Sequence, residues 1–128
     1  MGLLLDTHAL LWWALDDPKL SRTAYAAIAD QRLPVHVSTV SAFELTTKHR
    51  LGKLAVADRL LVDLERYLDE QGFAALPLDL ASAERAGRLP GPHRDPFDRL
   101  LIAQAITADL AFVSNEAGFD AYGVRRLW

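Results

Sequence analysis

Leu3-Leu4-Leu5-Asp6-Thr7-His8 is the stretch on which the fold turns. Three apolar residues in a row, with no polar alternation, describe a strand buried on both faces, as in a parallel sheet. The run stops at Asp6, which puts a carboxylate at the strand's carboxyl end, where open α/β sheets hold their ligands. Asp6 also suits the N-cap of a helix from Thr7 to Leu15, so a structural and a chemical role are both open here. Working outward, similar short runs occur at 33–38, 73–76 and 110–113, and the tail from Gly123 to Trp128 reads as a last short strand. Helical segments separate them. Ser21 caps one running to about Gln31; Ser38, Thr39 or Ser41 starts another over Ala42 to Leu51, with Gly52 as its stop. Arg59 to Gln71 is an amphipathic helix closed by Gly72, and Asp79 caps a short helix to Gly87. Strand and helix alternate with short connections. This order predicts a three-layer α/β/α arrangement with a mostly parallel central sheet, in one domain spanning 1–128.

The strongest helix-start signal lies in His93-Arg94-Asp95-Pro96-Phe97-Asp98-Arg99-Leu100-Leu101-Ile102-Ala103-Gln104-Ala105. Asp95 is a good N-cap, and Pro96 suits the first helical position, where a missing N–H costs nothing. Asp98 falls at the third, close to the free N–H groups and the positive end of the helix. Leu100 to Ala108 is apolar nearly all round, so the helix is buried. It carries a carboxylate at its exposed tip.

Composition narrows the function. A chain of 128 residues supports one sizeable core. Lys and Arg number 14 against 17 Asp and Glu, a net charge of −3 that argues against a sequence-indifferent nucleic-acid coat. It does not argue against a nuclease, because acids sequestered on a cation would leave the remaining surface slightly basic. There is no cysteine, which removes disulfides, thiolate zinc sites and cysteine nucleophiles. His8, His36, His49 and His93 lack zinc-ligand spacing. No apolar run approaches a membrane span, and the start lacks the basic region of a signal peptide, so a soluble cytoplasmic protein is expected.

Asp6, Glu44 and Glu116 each follow a strand end, and Asp98 heads a helix. Carboxylates so far apart in sequence converge only on the carboxyl edge of the sheet. Singly, each has an ordinary reading: Asp6 as a cap, Glu44 as a solvated residue favouring a helix dipole. Together they would repel, and a hard divalent cation would neutralise them; all-oxygen ligation selects Mg²⁺ or Mn²⁺ over zinc. No P-loop, GxSxG or HExxH offers another route. Lys48, Arg50, Lys53, Arg94 and Arg99 are candidate phosphate contacts, although the first three also fit a helix's polar face and C-terminal turn. Trp12 and Trp13 read as core or as a subunit contact.

Four blocks carry a resemblance: Leu4-Leu5-Asp6-Thr7-His8-Ala9-Leu10-Leu11-Trp12; Ser41-Ala42-Phe43-Glu44-Leu45 with Lys48 and Leu51-Gly52-Lys53-Leu54; Asp95 to Ala105; and Phe119 to Trp128. In this order they span the chain, which resembles the PIN-domain ribonucleases and specifically the VapC toxins of toxin–antitoxin pairs. The resemblance implies Mg²⁺- or Mn²⁺-dependent endonucleolytic cleavage of RNA, with Asp6, Glu44 and Asp98 as core acids. It also implies inhibition by a cognate antitoxin and formation of a homodimer. One departure stands out. Related toxins usually carry aspartate where this chain has Glu116, after Ser114-Asn115; Asp120 is the alternative acid. On this reading Asp6, Asp98 and Glu116 help hold the metal, and Glu44 adds a ligand or orients the attacking water. Thr7 and Ser114 hydrogen-bond carboxylates or substrate, Asp95 caps the helix and supports the site, and Lys48 and Arg99 meet phosphate. Rivals are a PIN fold that binds RNA or protein without cutting, and a Mg²⁺-dependent phosphatase, whose second acid would fall where His8 stands. A receiver-like signalling domain would need a late lysine, and none occurs after Lys53.

Overall fold

Three consecutive leucines form the middle strand of a five-stranded sheet. In the computed structural model, which describes residues 2–128, the strands are β1 (Leu3–Leu5), β2 (Val35–Ser38), β3 (Ala74–Leu76), β4 (Ala111–Val113) and β5 (Arg126–Leu127). Their order is β3-β2-β1-β4-β5, and every pairing is parallel. Leu4 lies beside His36 on one side and Phe112 on the other. The central strand is therefore closed off on both edges, and its side chains alternate between two cores. Leu3 and Leu5 join Val35, Val37, Ala111 and Val113 on one face; Leu4 and Phe112 belong to the opposite core.

Helices cover both faces, giving the three layers expected. The chain supplies α1 (Thr7–Ala14), α2 (Arg22–Ala29), α3 (Thr39–Arg50), α4 (Asp58–Leu61), α5 (Leu64–Gln71), α6 (Leu80–Arg88) and α7 (Pro96–Thr107). Leu10, Ala24, Ile28, Leu60 and Leu68 pack over the first face, and Leu101, Ile102 and Ala105 of α7 fill the second. Short 3₁₀ turns occupy Ala55–Ala57 and Ala117–Tyr122. Each expected cap is in place: Asp6 accepts from the Thr7 N–H, Ser21 from Ala24, Asp79 from Ser82, and Asp95 from Phe97 and Asp98.

The sequence reading runs one helix from Arg59 to Gln71; the structure breaks it. Asp63 leaves the helical conformation and its side chain accepts from the Arg66 N–H, which starts α5 afresh. Apolar periodicity survives the break because Leu60, Leu61 and Leu68 still meet the same core. A cap inside an amphipathic run is hidden from any count of apolar spacing. Loss of this cap has a definite size. Asp63→Ala should lower stability by about 1 kcal/mol in urea unfolding, against less than about 0.5 for the control Asp69→Ala.

Candidate active site

β1 and β4 lie side by side, and each gives way to a buried polar residue. After β1 comes Asp6, only 5% exposed; after β4 comes Ser114, 1% exposed. The Ser114 hydroxyl donates to Asp6 Oδ2 at 2.8 Å, and the Thr7 N–H donates to Oδ1 at 2.7 Å. The carboxylate is thus held between two strand ends. From the next unit, α3 brings Glu44, 7% exposed, toward the same place. Thr7 Oγ1 donates to Glu44 Oε1 at 2.8 Å, and Lys48 Nζ, one turn on, donates to Oε2 at 2.8 Å. Asp98 enters from the N-terminus of α7, and His93 Nε2 lies 2.7 Å from its Oδ2.

These three acids and Glu116 line one cleft of about 130 Å³ at the carboxyl edge of the sheet. Asp95, His8, Lys48 and Phe119 reach it too. Glu116 is exposed, and its own N–H donates to Ser114 Oγ at 3.1 Å. Asp120 does not line the cleft; Arg126 Nε donates to its Oδ1 at 2.8 Å. Of the two late acids, Glu116 faces the site.

The acids share the cleft without forming a ready-made cage. Among the described residues, no three His, Asp or Glu side chains are arranged to hold a metal ion. Three of the four carboxylates instead take their own donors: Ser114 and Thr7 on Asp6, Thr7 and Lys48 on Glu44, His93 on Asp98. The donor set itself is all oxygen, and its members disturb one another. Burial pushes the Asp6 carboxyl up to about 6, opposed by the Ser114 hydrogen bond and assisted by the charge of Asp98. Asp98 is raised as well, first by burial, with Asp95 and Glu44 adding to it and His93 opposing. Mutually repelling, partly desolvated carboxylates fit a hard divalent cation.

Two basic residues expected on substrate phosphate have other partners. Lys48 is the ion-pair partner of Glu44. Arg99 turns inward, donating from Nε to the Ala86 carbonyl at 3.1 Å, from one terminal nitrogen to His93 at 3.0 Å, and from the other to Leu89. It ties the loop between α6 and α7 to the helix. Arg50, Lys53 and Arg94 remain exposed.

The sequence reading missed His93 as a partner of Asp98, along with Asn115 and Phe119 in the lining. His93 is placed by the same loop: its N–H donates to the Tyr122 hydroxyl at 2.8 Å. Gly91 lets the loop pass, since a Cβ there would lie 2.6 Å from the Tyr122 ring and its φ is +121°. No periodicity signals such a contact; only the Pro-Gly-Pro turn hints that the loop is shaped.

The raised Asp6 carboxyl has a consequence for stability. Its ordinary value is 3.8 and its folded value about 6, so between these the folded chain binds more protons than the unfolded one. Stability therefore falls as pH rises through that window, by at most about 3 kcal/mol. Asp6→Asn, which cannot ionise, should be more stable than the parent at pH 8 in cation-free urea unfolding. The difference should vanish near pH 4. A gap independent of pH would contradict a buried, charged Asp6.

Known proteins share this chain's pattern. Residues 3–124 match the model of the PIN domain. Ribonuclease VapC22 of Mycobacterium tuberculosis is 29% identical over 117 residues, covering 88% of this chain and 85% of that protein. The fold matches DNA-bound VapBC from Salmonella typhimurium at a TM-score of 0.72 and 19% identity, covering 98% of this chain and 96% of that one. It also matches Mycobacterium tuberculosis VapC20, described as a sarcin–ricin loop cleaving toxin, at 0.65 and 16% identity, with 96% of each chain covered. A domain match across nearly the whole length, over a parallel sheet flanked by helices, places this chain in the PIN-domain family, with VapC-type proteins as its relatives.

Proposed function

We propose that the protein is a metal-dependent endoribonuclease and the toxin of a toxin–antitoxin pair. The observation that carries this reading is the meeting of Asp6, Glu44, Asp98 and Glu116, from four separate parts of the chain, in one cleft at the carboxyl edge of a parallel sheet. The relative VapC22 bears the name ribonuclease, and VapC20 is described as a toxin that cleaves the sarcin–ricin loop, which supports the same activity here.

Asp6, Asp98 and Glu116 would hold Mg²⁺ or Mn²⁺, with Glu44 as a further ligand or as the group that orients water. The ion supplies Lewis-acid charge and a more acidic bound water. The residues do the positioning. Thr7 and Lys48 fix the two oxygens of Glu44, so this carboxylate can take a proton from water at a defined point. Ser114 and the Thr7 N–H fix Asp6 in the same way. In-line attack of water on phosphorus would leave a 5′-phosphate and a 3′-hydroxyl. Arg94, Arg50 and Lys53, all exposed, are the phosphate contacts that remain available.

For partners, the VapBC neighbour from Salmonella is a complex, which supports a cognate antitoxin for this chain. Phe43, 61% exposed and 6.0 Å from Phe97, would give a homodimer an apolar contact. No helix among the described residues is long and apolar enough to cross a membrane.

One observation favours a second reading. Asp6, Glu44 and Asp98 already have partners, and among the described residues no three acids are arranged around a cation, as would suit a module that binds RNA without cutting it.

Two measurements test the proposal. Mg²⁺ should raise the melting temperature at pH 8, less so below pH 6, where Asp6 takes a proton; Asp6→Asn and Asp98→Asn should lose the rise. Incubated with structured RNA and Mg²⁺, Asp98→Asn should cut at least a hundredfold more slowly than the parent. Asp95→Asn keeps an N-cap and should stay within about threefold. RNA retarded but uncut by the parent would establish the binding module instead.

A further inference from the structure

One group of side chains at the cleft has no part in the chemistry above. His8 is exposed and lines the acidic cleft. Its ring stacks on Trp12, one helical turn further along α1, with centroids 5.6 Å apart and planes 27° from parallel. Trp12 in turn meets the edge of Trp128 at 5.8 Å. Lys19 Nζ stands 5.9 Å from the centre of the Trp12 ring. A histidine ring at the mouth of the cleft is thus backed by a tryptophan, braced by a second tryptophan and accompanied by a cation.

The cleft poses a problem that this arrangement would solve. Four carboxylates repel a polyanion, the chain as a whole carries −3, and Lys48 and Arg99 spend their donors within the protein. Contacts that do not depend on charge would add to the little that Arg94, Arg50 and Lys53 can supply. Every nucleobase has a π-face, and unpaired bases stack on aromatic side chains whatever their sequence. Base-paired RNA keeps those faces covered.

Resting on the ribonuclease reading, we infer that His8 and Trp12 form a stacking shelf for an unpaired nucleobase next to the bond that is cut. The base lies against the His8 ring, Trp12 holds that ring in place, and Lys19 meets a phosphate of the same strand. The substrate class is RNA that is single-stranded at the cleavage point. The shelf reads a ring and not its hydrogen-bonding edge, so it discriminates base from no base.

The test measures binding without cleavage. A fluorescent six-nucleotide adenine RNA and the same backbone carrying abasic residues are titrated with the full chain in EDTA, by polarisation. The parent should bind the adenine chain about tenfold more tightly. His8→Ala should erase most of that ratio, and His8→Phe, which keeps a ring but cannot titrate, should retain it. Trp12→Leu should also reduce the ratio, its fold being checked by circular dichroism. Equal binding of the two RNAs by the parent would overturn the inference, as would a ratio unchanged in His8→Ala. A ratio unchanged in both variants, with an altered oligomeric state on gel filtration, would make the shelf a protein contact and equally overturn it. The two readings separate cleanly. RNA cut with Mg²⁺ but no preference for bases removes the shelf alone; a preference for bases without cutting removes the nuclease alone.

Discussion

A carboxylate buried at the end of the central strand is the constraint on which the rest of the site depends. Asp6 is 5% exposed and sits where β1 gives way to α1. Burying a charge there is costly unless hydrogen bonds answer it. The Thr7 N–H answers from the same chain segment and the Ser114 hydroxyl from the end of β4. Those two bonds do not fully offset desolvation, since the carboxyl is still pushed up to about 6. The result is a group that gains from any further positive charge brought to it. Stability is given up locally to keep that demand in place.

Topology decides which other groups can meet it. In the order β3-β2-β1-β4-β5, the central strand has a parallel neighbour on each side, so the loops after β1, β2 and β4 open on one edge. Glu44 comes from α3 beyond β2, and Glu116 lies just past β4. Asp98 arrives differently, on the first turn of α7, and its position depends on the loop before that helix. Arg99 gathers the carbonyls of Ala86, Leu89 and His93, while the Tyr122 hydroxyl receives the His93 N–H. The loop so fixed puts the His93 ring on Asp98. Arg99 is thus a positioning residue whose influence on the site passes through His93.

Much of this was legible in the residues. Leu3-Leu4-Leu5 announced a strand buried on both faces, and all three leucines are at most 1% exposed. Of Asp95 and Asp98, three apart, only the first can precede Pro96 as an N-cap, and it does cap the helix, though both line the cleft. The features that escaped notice depended on distant contacts. Asp63 broke a helix that the apolar spacing carried straight through. Lys48 lies four residues beyond Glu44, a spacing that pairs charges on a helix, yet a cation near a candidate RNA site reads equally well as a phosphate contact. Arg99 was misleading for the same reason: charge suggests solvent, and nothing in the sequence shows three carbonyls waiting around it. Neither its lack of zinc-ligand spacing nor its place where a phosphatase would carry an acid marks out His8, although its spacing from Trp12 is that of neighbours on a helix face.

The partnered state of the carboxylates bears on how selective such a site is. Each carboxylate oxygen can accept two hydrogen bonds, so the donors on Asp6, Glu44 and Asp98 leave lone pairs unused. Lys48 and His93 reduce the repulsion among these acids while keeping each pointed into the cleft. Lys48 and Arg99 are engaged within the protein, so neither cation is free to recruit RNA to this acidic cleft. On the proposed ribonuclease reading, recognition and chemistry fall to different groups. The acids would set where a phosphodiester can react once it is there; the rings at the rim would decide which strands come close enough. A duplex would fail the second demand, because it hides its bases from the rim. On the proposed reading, selectivity for unpaired RNA would arise from the charge of the cleft as much as from the rings beside it.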